Sequence, residues 1–463
     1  MSGTFYKGWW GEEMNKKQEI YIIDQTIRDA QQSLWGHLMT LDMIIPIAEV
    51  MDSVGYRAIN LPGARGAVVQ ARSLKENVFD RYKLISQRII DTPLRASFVN
   101  WDFSGFNFGP VAVIELWIKR AIAHGIKSFW FVNYQNMFQR ENYLCKVAKK
   151  EGAEIVGALM YTQSPFHTED VWALKIRRLV EMGVDVIQLE DTVGVLTLED
   201  TRKLVKLAQI EANGLPFEFH THCCTGMAPM CYVEALKNDV QIFHTSVSPL
   251  ANGWSLPSTE QTIKNAKTLG FSVSLDEDAL KRVSEHFRSI ATERGILQGK
   301  PVEYDLTPYR HHIPGGMRGT MRNQLAEIKQ EHRLEEVLNE AGRIREELGY
   351  PVGATPYSQF IGAQALFNVV SGDRYKVVSD EIIRYVLGHY GEADGPIDPG
   401  IKEKILSSSK AKKWINWKEP EITIEDIRKL APGLSDDELL VSLLEPQSTL
   451  SKEVNELFYK RGV

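Results

Sequence analysis

The sequence has little of what marks several common classes of protein. Its 463 residues include 4 cysteines, too few for a disulfide framework in a chain of this length. No apolar run is long enough to cross a membrane. The net charge of −6 gives no electrostatic basis for binding nucleic acid or an anionic membrane surface. Residues 1–19 lack the apolar core of a signal peptide, so we expect a cytoplasmic protein.

What the sequence contains is a regular alternation of short apolar runs and longer amphipathic segments between residues 20 and 275. We predict a strand in each of the apolar runs, which are Ile20–Asp24, Ala58–Leu61, Leu94–Val99, Ser128–Val132, Ile155–Met160, Val186–Glu190, Phe217–His222 and Ile242–Ser246. Eight strand–helix units in about 250 residues predict an α/β fold of the (β/α)₈ TIM-barrel type. A doubly wound sheet is the alternative, but no Gly-x-Gly-x-x-Gly follows the first strand.

The alternation stops after residue 275, and helical patterns follow. The two longest are Leu275–Ile296 and Met321–Leu348, each predicted as one amphipathic helix. We therefore predict three parts: an N-terminal extension (1–19), the catalytic barrel (20–275) and a C-terminal all-α domain (276–463) packed against the barrel mouth.

Two histidines end the seventh predicted strand. His220 and His222 are two residues apart, so in a strand they point to the same face. Side-by-side imidazoles suit a borderline divalent metal such as Zn, Mn or Co. Cys223 and Cys224 follow directly, and we interpret them as buried structural thiols in preference to metal ligands or a nucleophile.

The carboxyl end of the first predicted strand offers the complementary residues. Asp29 supplies a hard oxygen as third ligand, which leaves coordination positions open for a substrate. Arg28 beside it can stabilise a developing negative charge, although a surface ion pair is the alternative for these two residues. Glu190, at the end of strand six, is a candidate fourth ligand or general base, or it orients a ligand.

Five segments of the chain occur in a recognisable order, and they are Asp24-Gln25-Thr26-Ile27-Arg28-Asp29-Ala30-Gln31-Gln32-Ser33-Leu34, His220-Thr221-His222, Ile313-Pro314-Gly315-Gly316-Met317, Thr355-Pro356-Tyr357-Ser358-Gln359 and Pro396-Ile397-Asp398-Pro399. In this combination the chain resembles the carboxyltransferase family, which includes the carboxyltransferase domain of pyruvate carboxylase, the α subunit of oxaloacetate decarboxylase and the keto-acid subunit of transcarboxylase. The similarity runs from about residue 20 to 410. The wider superfamily includes lyases, aldolases and acyl-condensing synthases.

The resemblance implies a barrel with a helical funnel and a divalent ion held by Asp29, His220 and His222. It also implies that Arg28 and Gln32 contact a 2-oxo acid and its enolate, and that Arg95 holds the carboxylate. Thr355 would relay a proton between biotin and the substrate. The family is usually oligomeric, so we expect an even-numbered homo-oligomer.

The sequence departs from the family in three ways. Glu190 stands where the family has a carboxylated lysine as fourth metal ligand. After strand two, Leu61-Pro62-Gly63-Ala64-Arg65-Gly66-Ala67 replaces Trp-Gly-Gly-Ala-Thr-Phe-Asp, so an acidic residue is lost and Arg65 is a candidate substrate-binding residue. No Met-Lys-Met biotinylation site occurs, so we expect biotin on a separate carrier protein.

Three functional hypotheses follow. The first is a metal-dependent carboxyltransferase that acts on a 2-oxo acid of the pyruvate or oxaloacetate type with separately carried biotin. The second is a biotin-independent lyase, aldolase or condensing enzyme on the same barrel, which the glutamate at residue 190 and the altered loop favour. The third is a non-catalytic scaffold protein, supported by the loss of the lysine.

Overall fold

Eight parallel strands close into a barrel, which confirms the predicted TIM-barrel fold. The computed structural model describes residues 18–98, 109–133 and 137–462, so residues 1–17 of the predicted N-terminal extension lie outside it. Each strand pairs with the next one along the chain, and β8 and β2 both pair with β1 and close the ring. The strands are β1 (Glu19–Asp24), β2 (Ala58–Asn60), β3 (Leu94–Phe98), β4 (Ile126–Asn133), β5 (Glu154–Met160), β6 (Val186–Asp191), β7 (Phe217–Thr221) and β8 (Ile242–Thr245); a short β9 (Ser272–Val273) pairs with the start of β1.

Helices form the outer layer of the barrel. Gly183 and Gly214 follow two of them in the left-handed conformation, at φ values of 73° and 79°, where glycine avoids a steric penalty. No helix among the described residues is long and apolar enough to span a membrane. The helices are α1 (Gln31–Trp35), α2 (Leu41–Ile44), α3 (Ala48–Ser53), α4 (Ala64–Val69), α5 (Val78–Ser86), α6 (Val111–Ala123), α7 (Phe138–Lys150), α8 (Glu169–Glu181), α9 (Leu198–Glu211), α10 (Ala228–Lys237) and α11 (Thr259–Thr268).

The rest of the described chain is helical, as predicted. The helices are α12 (Glu277–Glu293), α13 (Pro308–His311), α14 (Gly315–Glu327), α15 (Leu334–Glu347), α16 (Tyr357–Ser371), α17 (Asp380–Val386), α18 (Pro399–Leu406), α19 (Ile424–Leu430), α20 (Asp436–Leu444) and α21 (Thr449–Arg461). In α12, Phe287 packs edge-on against Trp35, with ring centroids 6.4 Å apart. This helix thus lies on the barrel, and the domain boundary at residue 275 stays a prediction.

The single helix predicted over Met321–Leu348 is wrong, because two helices occupy this stretch. Between α14 and α15, Lys329 adopts a left-handed conformation with φ of 59°, and a 3₁₀ turn follows over Glu331–Arg333. A non-glycine residue in this conformation breaks the helical hydrogen-bond ladder. No glycine or proline marks the break, so the amphipathic pattern continues across it.

Arg95 lies inside the barrel, fully buried, and its guanidinium is bound by protein carboxylates. Its Nη1 and Nη2 atoms donate to the two oxygens of Glu218 at 2.7 and 3.1 Å, and Nη2 also donates to Glu154 at 3.0 Å. Burial alone would raise the pKa of Glu218, but Arg95 and a hydrogen bond from His244 lower it to about 2. Glu218 therefore remains charged and, together with Glu154, holds the guanidinium.

These contacts compete with the expected binding of the substrate carboxylate by Arg95, which stays a prediction. Arg95 is the second residue of β3, Glu154 the first of β5 and Glu218 the second of β7. The ion pairs thus lie in the amino-terminal half of the barrel, whereas chemistry in this fold takes place at the carboxyl ends.

Replacement of Arg95 by methionine tests this structural role. It leaves Glu218 buried without its counter-charge, so we expect the free energy of unfolding to fall by about 3–5 kcal/mol. The Arg95→Met/Glu218→Leu double variant should recover much of that loss, because both charges are then gone. Urea denaturation measures each value.

Arg177→Met is the matched control, since Arg177 pairs with Glu211 on the surface and its side chain is 55% exposed. This change should cost less than about 1 kcal/mol. An Arg95→Met protein of unchanged stability that has a raised KM for substrate would restore the substrate-binding role.

Candidate metal centre

The first ligand lies in the turn that follows β1. Asp24, the last residue of β1, accepts hydrogen bonds from the backbone N–H of Thr26 at 3.2 Å and from its hydroxyl at 2.6 Å. This anchors a π-helical turn, Thr26–Ala30, which carries Arg28 and Asp29. The carboxyl end of the strand thus leads directly to the two predicted site residues.

The two histidines lie at the end of β7, which is separated from β1 only by β8. The Nε2 atom of His220 is 3.5 Å from Oδ2 of Asp29, and that of His222 is 3.4 Å from Oδ1. One donor atom from each of these three residues lies within 4.8 Å of the others, and they form the one such group of three among the described residues. The structure therefore brings together the three residues predicted as metal ligands.

The histidine donor atoms are suited to an ion. Both Nε2 atoms are buried and have no hydrogen-bond partner among the described residues. A buried polar atom without a partner costs free energy, which an ion bound between the two rings and the carboxylate would recover. Two nitrogens and one oxygen are the ligand types of a catalytic zinc-like site. Cys223 and Cys224 lie outside the group, and all four cysteines are free thiols.

Neighbouring groups orient both rings. Nδ1 of His222 is 2.7 Å from the carbonyl oxygen of Trp254, to which it donates, so Nε2 is the ring atom that faces Asp29. Nδ1 of His220 is 3.2 Å from Nδ1 of His244, whose Nε2 donates to Glu218 at 2.8 Å. The hydrogen-bond network thus holds both rings with Nε2 towards Asp29, the orientation in which each ring could coordinate a metal through Nε2.

The surroundings of the group favour an ionised Asp29 carboxylate beside a neutral His220 ring. Burial by itself would raise the pKa of Asp29, but the charges of His222 and Arg28 outweigh it and hold that pKa well below its usual value. Burial lowers the pKa of His220 far below its usual value, so this ring is neutral. Asp29 is thus ready to bind a cation in the ionised form.

Arg28 lies against the ligand group. Its guanidinium donates to Asp29 and lies over the ring of Trp130, 4.5 Å from the centroid. Ser33 supports the same carboxylate, with its hydroxyl 2.9 Å from Oδ1. Gln32 is exposed on α1, and its contact with substrate stays a prediction.

Glu190 is near the group but does not belong to it. Its carboxylate accepts a hydrogen bond from Nε2 of Gln188 at 2.6 Å, and burial raises its pKa to about 7. It lies outside the group of three, and its assignment as a fourth metal ligand stays a prediction. Its role as an acid or base stays a prediction, as does substrate binding by Arg65, which is half-buried in the first turn of α4.

Thr355 lies on a segment packed against the barrel mouth. The hydroxyl of Thr192, which follows β6, donates to the carbonyl of Gly353 at 3.1 Å. A Cβ at Gly353 would lie 2.3 Å from a methyl of Val193 and 2.4 Å from the carbonyl of His312, so only glycine fits. The segment that leads to Thr355 is therefore held at the carboxyl ends of the strands, where the metal group lies.

The Pro-Gly-Gly segment also reaches the site. A Cβ on Gly315 would lie 2.3 Å from Cδ1 of Trp254, so the glycine allows the start of α14 to touch the indole. The carbonyl of this tryptophan is the acceptor that orients His222. Gly315 therefore allows close contact with the residue whose carbonyl orients His222.

Several residues of the site were missed by sequence reasoning. Trp130, His244 and Trp254 belong to no motif, and Glu218 was overlooked even though it is two residues before His220 and so shares its face of β7. The same spacing rule that found His222 could have found Glu218.

Comparisons with known proteins agree with the site and the fold. The HMGL-like family matches residues 19–286, more than half of the chain, and the Conserved carboxylase domain family matches residues 309–449. A subunit of the pyruvate carboxylase of Methanocaldococcus jannaschii is 34% identical over 389 residues, which are 84% of this chain and 68% of that protein. The 2-oxoglutarate carboxylase large subunit of Hydrogenobacter thermophilus is 31% identical over 395 residues, 85% of this chain and 61% of that protein.

The architecture is similar to that of the carboxyl transferase domain of Rhizobium etli pyruvate carboxylase, solved with pyruvate. The TM-score is 0.83 at 20% identity, and the match covers 96% of this chain and 78% of that one. Together with the family matches and the relative 34% identical, these findings show that the chain belongs to the carboxyltransferase family of enzymes, as its motifs indicated.

Proposed function

We propose that the protein is a cytoplasmic, metal-dependent carboxyltransferase that acts on a 2-oxo acid with biotin delivered by a separate carrier protein. The observation that carries this proposal is the convergence of Asp29, His220 and His222, with two unpartnered Nε2 atoms, beneath the guanidinium of Arg28. Relatives named as carboxylases of pyruvate and of 2-oxoglutarate support a 2-oxo acid as the acceptor class. Both relatives are single subunits of larger carboxylases, which supports a partner polypeptide, and a homo-oligomer stays a prediction.

Each candidate residue has a separate role in the proposed reaction. A divalent ion held by the three ligands would supply Lewis-acid polarisation of a carbonyl oxygen. Arg28, kept in place by Asp29 and Trp130, puts a fixed positive charge where negative charge develops on the substrate as its carboxyl group leaves or arrives. We assign to the hydroxyl of Thr355 the proton transfer that accompanies the carboxyl transfer. Gln32 and Arg65 are candidates to orient the substrate.

A second candidate is a lyase, aldolase or condensing enzyme that works without biotin. It is favoured by Glu190, a buried carboxylate whose pKa is raised to about 7 and which is therefore suited to act as a general base near neutral pH. The match of the barrel to the HMGL-like family supports it as well.

Metal content tests the ligand set. We expect wild-type protein to retain about one divalent ion per chain after gel filtration, and His220→Ala, His222→Ala and Asp29→Asn to retain less than about half an ion, because each removes one of three donors. Glu190→Gln should keep the ion and is the matched control. Inductively coupled plasma mass spectrometry gives the content, and full metal content in both histidine variants would refute the site.

Replacement of Thr355 by alanine tests the proton transfer. Biotin-dependent release of pyruvate from oxaloacetate should fall by at least about 100-fold, because a positioned proton carrier contributes that much. Thr355→Ser keeps the hydroxyl and should retain most of the activity, while both variants keep their metal. Wild-type turnover by Thr355→Ala would remove this residue from the mechanism, and a parallel assay with 2-oxoglutarate as carboxyl acceptor identifies the substrate.

Omission of biotin separates the first two candidates. Purified protein given oxaloacetate or hydroxy-oxo acids without biotin should show no turnover if the carboxyltransferase proposal holds. Turnover that disappears in Glu190→Gln would favour the lyase or aldolase. A protein with less than about half a metal ion per chain and no turnover in either assay would be the non-catalytic scaffold.

A further inference from the structure

A cavity separate from the metal group lies between the barrel and the helical region. Its volume is about 550 Å³, within the range of small-molecule sites. The loop after β5 forms one wall, and α13 and α15 form others. None of its lining residues belongs to the candidate metal group.

Positive charge dominates the lining. Arg310, Arg343 and Arg345 all contribute to it, and Glu346 is the one acidic residue of the lining. The cavity therefore has an excess of guanidinium groups over carboxylates.

Arg345 is the critical residue because it is buried, with 5% of its surface exposed. Its Nη2 donates to the hydroxyl of Thr162 at 2.8 Å and to the carbonyl of Gln163 at 2.7 Å, and its Nε donates to the carbonyl of Pro351 at 3.1 Å. These are neutral acceptors. Among the described residues no carboxylate forms an ion pair with Arg345, and its Nη1 donates no hydrogen bond.

A buried cation without a counter-charge is unfavourable. Transfer of a charged group out of water costs several kcal/mol unless an opposite charge approaches it. Asp394, in the helical region, is already bound by His167 at 3.1 Å and by Lys175 at 2.8 Å. Glu340, on the face of α15 next to Arg343, is shared between Arg343 at 3.7 Å and Arg374 at 2.7 Å. The counter-charge of Arg345 would therefore come from a ligand.

We propose that this cavity binds a small, multiply charged oxyanion, either a phosphate ester or a polycarboxylate, through the guanidinium groups of Arg310, Arg343 and Arg345. The guanidinium fork matches the paired oxygens of both groups. His312 lines the same cavity and its Nδ1 is 3.3 Å from the hydroxyl of Thr162, so the ring is fixed beside Arg345. None of the lining residues belongs to the metal group or is assigned a role in the proposed reaction.

Titration calorimetry of the full chain tests the proposal. Pyrophosphate and citrate are the probes, added to EDTA-treated protein at constant ionic strength so that metal-bound anion does not contribute. We expect saturable binding of at least one probe to one site per chain with a Kd below about 1 mM. Tighter binding of pyrophosphate assigns a phosphate ligand, and tighter binding of citrate assigns a polycarboxylate.

Variants locate the site. Arg345→Met should abolish binding, and the Arg310→Gln/Arg343→Gln double variant should weaken it at least about tenfold, since charge-assisted hydrogen bonds are lost. Arg322→Gln is the matched control, because Arg322 is an exposed arginine of α14 paired with Glu331 and does not line the cavity. Arg310 and Arg343 are exposed, so the double variant folds and carries the test even if Arg345→Met does not fold. Absence of binding by both probes, or equal binding by the double variant and wild type, would overturn the proposal.

Discussion

The carboxylate of Asp29, placed between the Nε2 atoms of His220 and His222, is the contact on which the rest of the site depends. It exists only because the barrel closes, since closure brings the ends of β1 and β7 to either side of β8. The contact is favourable as a charge arrangement, with Arg28 and His222 holding the pKa of Asp29 low in spite of burial. It is incomplete as a hydrogen-bond arrangement, because both Nε2 atoms have no partner among the described residues. A site with a stabilised carboxylate charge and with ring nitrogens that lack hydrogen-bond partners is suited to a metal ion.

Support for this contact comes from two directions. From below, Arg95, Glu218 and His244 form a buried polar chain that ends at Nδ1 of His220. From above, the helical region touches Trp254 through Gly315, and the carbonyl of Trp254 holds His222. One ligand is thus oriented by the barrel interior and the other by the domain interface. A change in how the helical region packs on the barrel would therefore alter the orientation of His222 directly and that of His220 only indirectly.

The eight strands could be predicted from the sequence because buried parallel strands are short, continuous apolar runs. Amphipathic helices differ from them, since their apolar residues are spaced three and four apart. The group of Asp29, His220 and His222 could be predicted for two reasons. The two-residue repeat of side chains along a strand is a local property, and the position of chemistry at the carboxyl ends of barrel strands follows from the topology. The substrate contact expected for Arg95 came from the family resemblance, whereas the predicted strand Leu94–Val99 already placed this residue at the amino-terminal end of β3. The break at Lys329 was missed because no glycine or proline marks this left-handed residue in the sequence. The contacts of His244 and Trp254 could not be foreseen, because each depends on strand and loop positions far apart in the chain.

Two buried arginines of the chain differ in how their positive charge is balanced. Arg95 has a bidentate bond to Glu218 and a third bond to Glu154, so its positive charge is neutralised within the barrel. Arg345 is bound by two carbonyls and a hydroxyl and lies over the ring of Tyr350, 5.1 Å from its centroid, but it has no ion pair with a carboxylate among the described residues, although it is almost as deeply buried. If burial of Arg345 served stability alone, an apolar side chain of similar volume would serve better, because it carries no desolvation cost. Its position in the wall of a cavity lined by two further arginines therefore indicates that the missing negative charge comes from outside the chain.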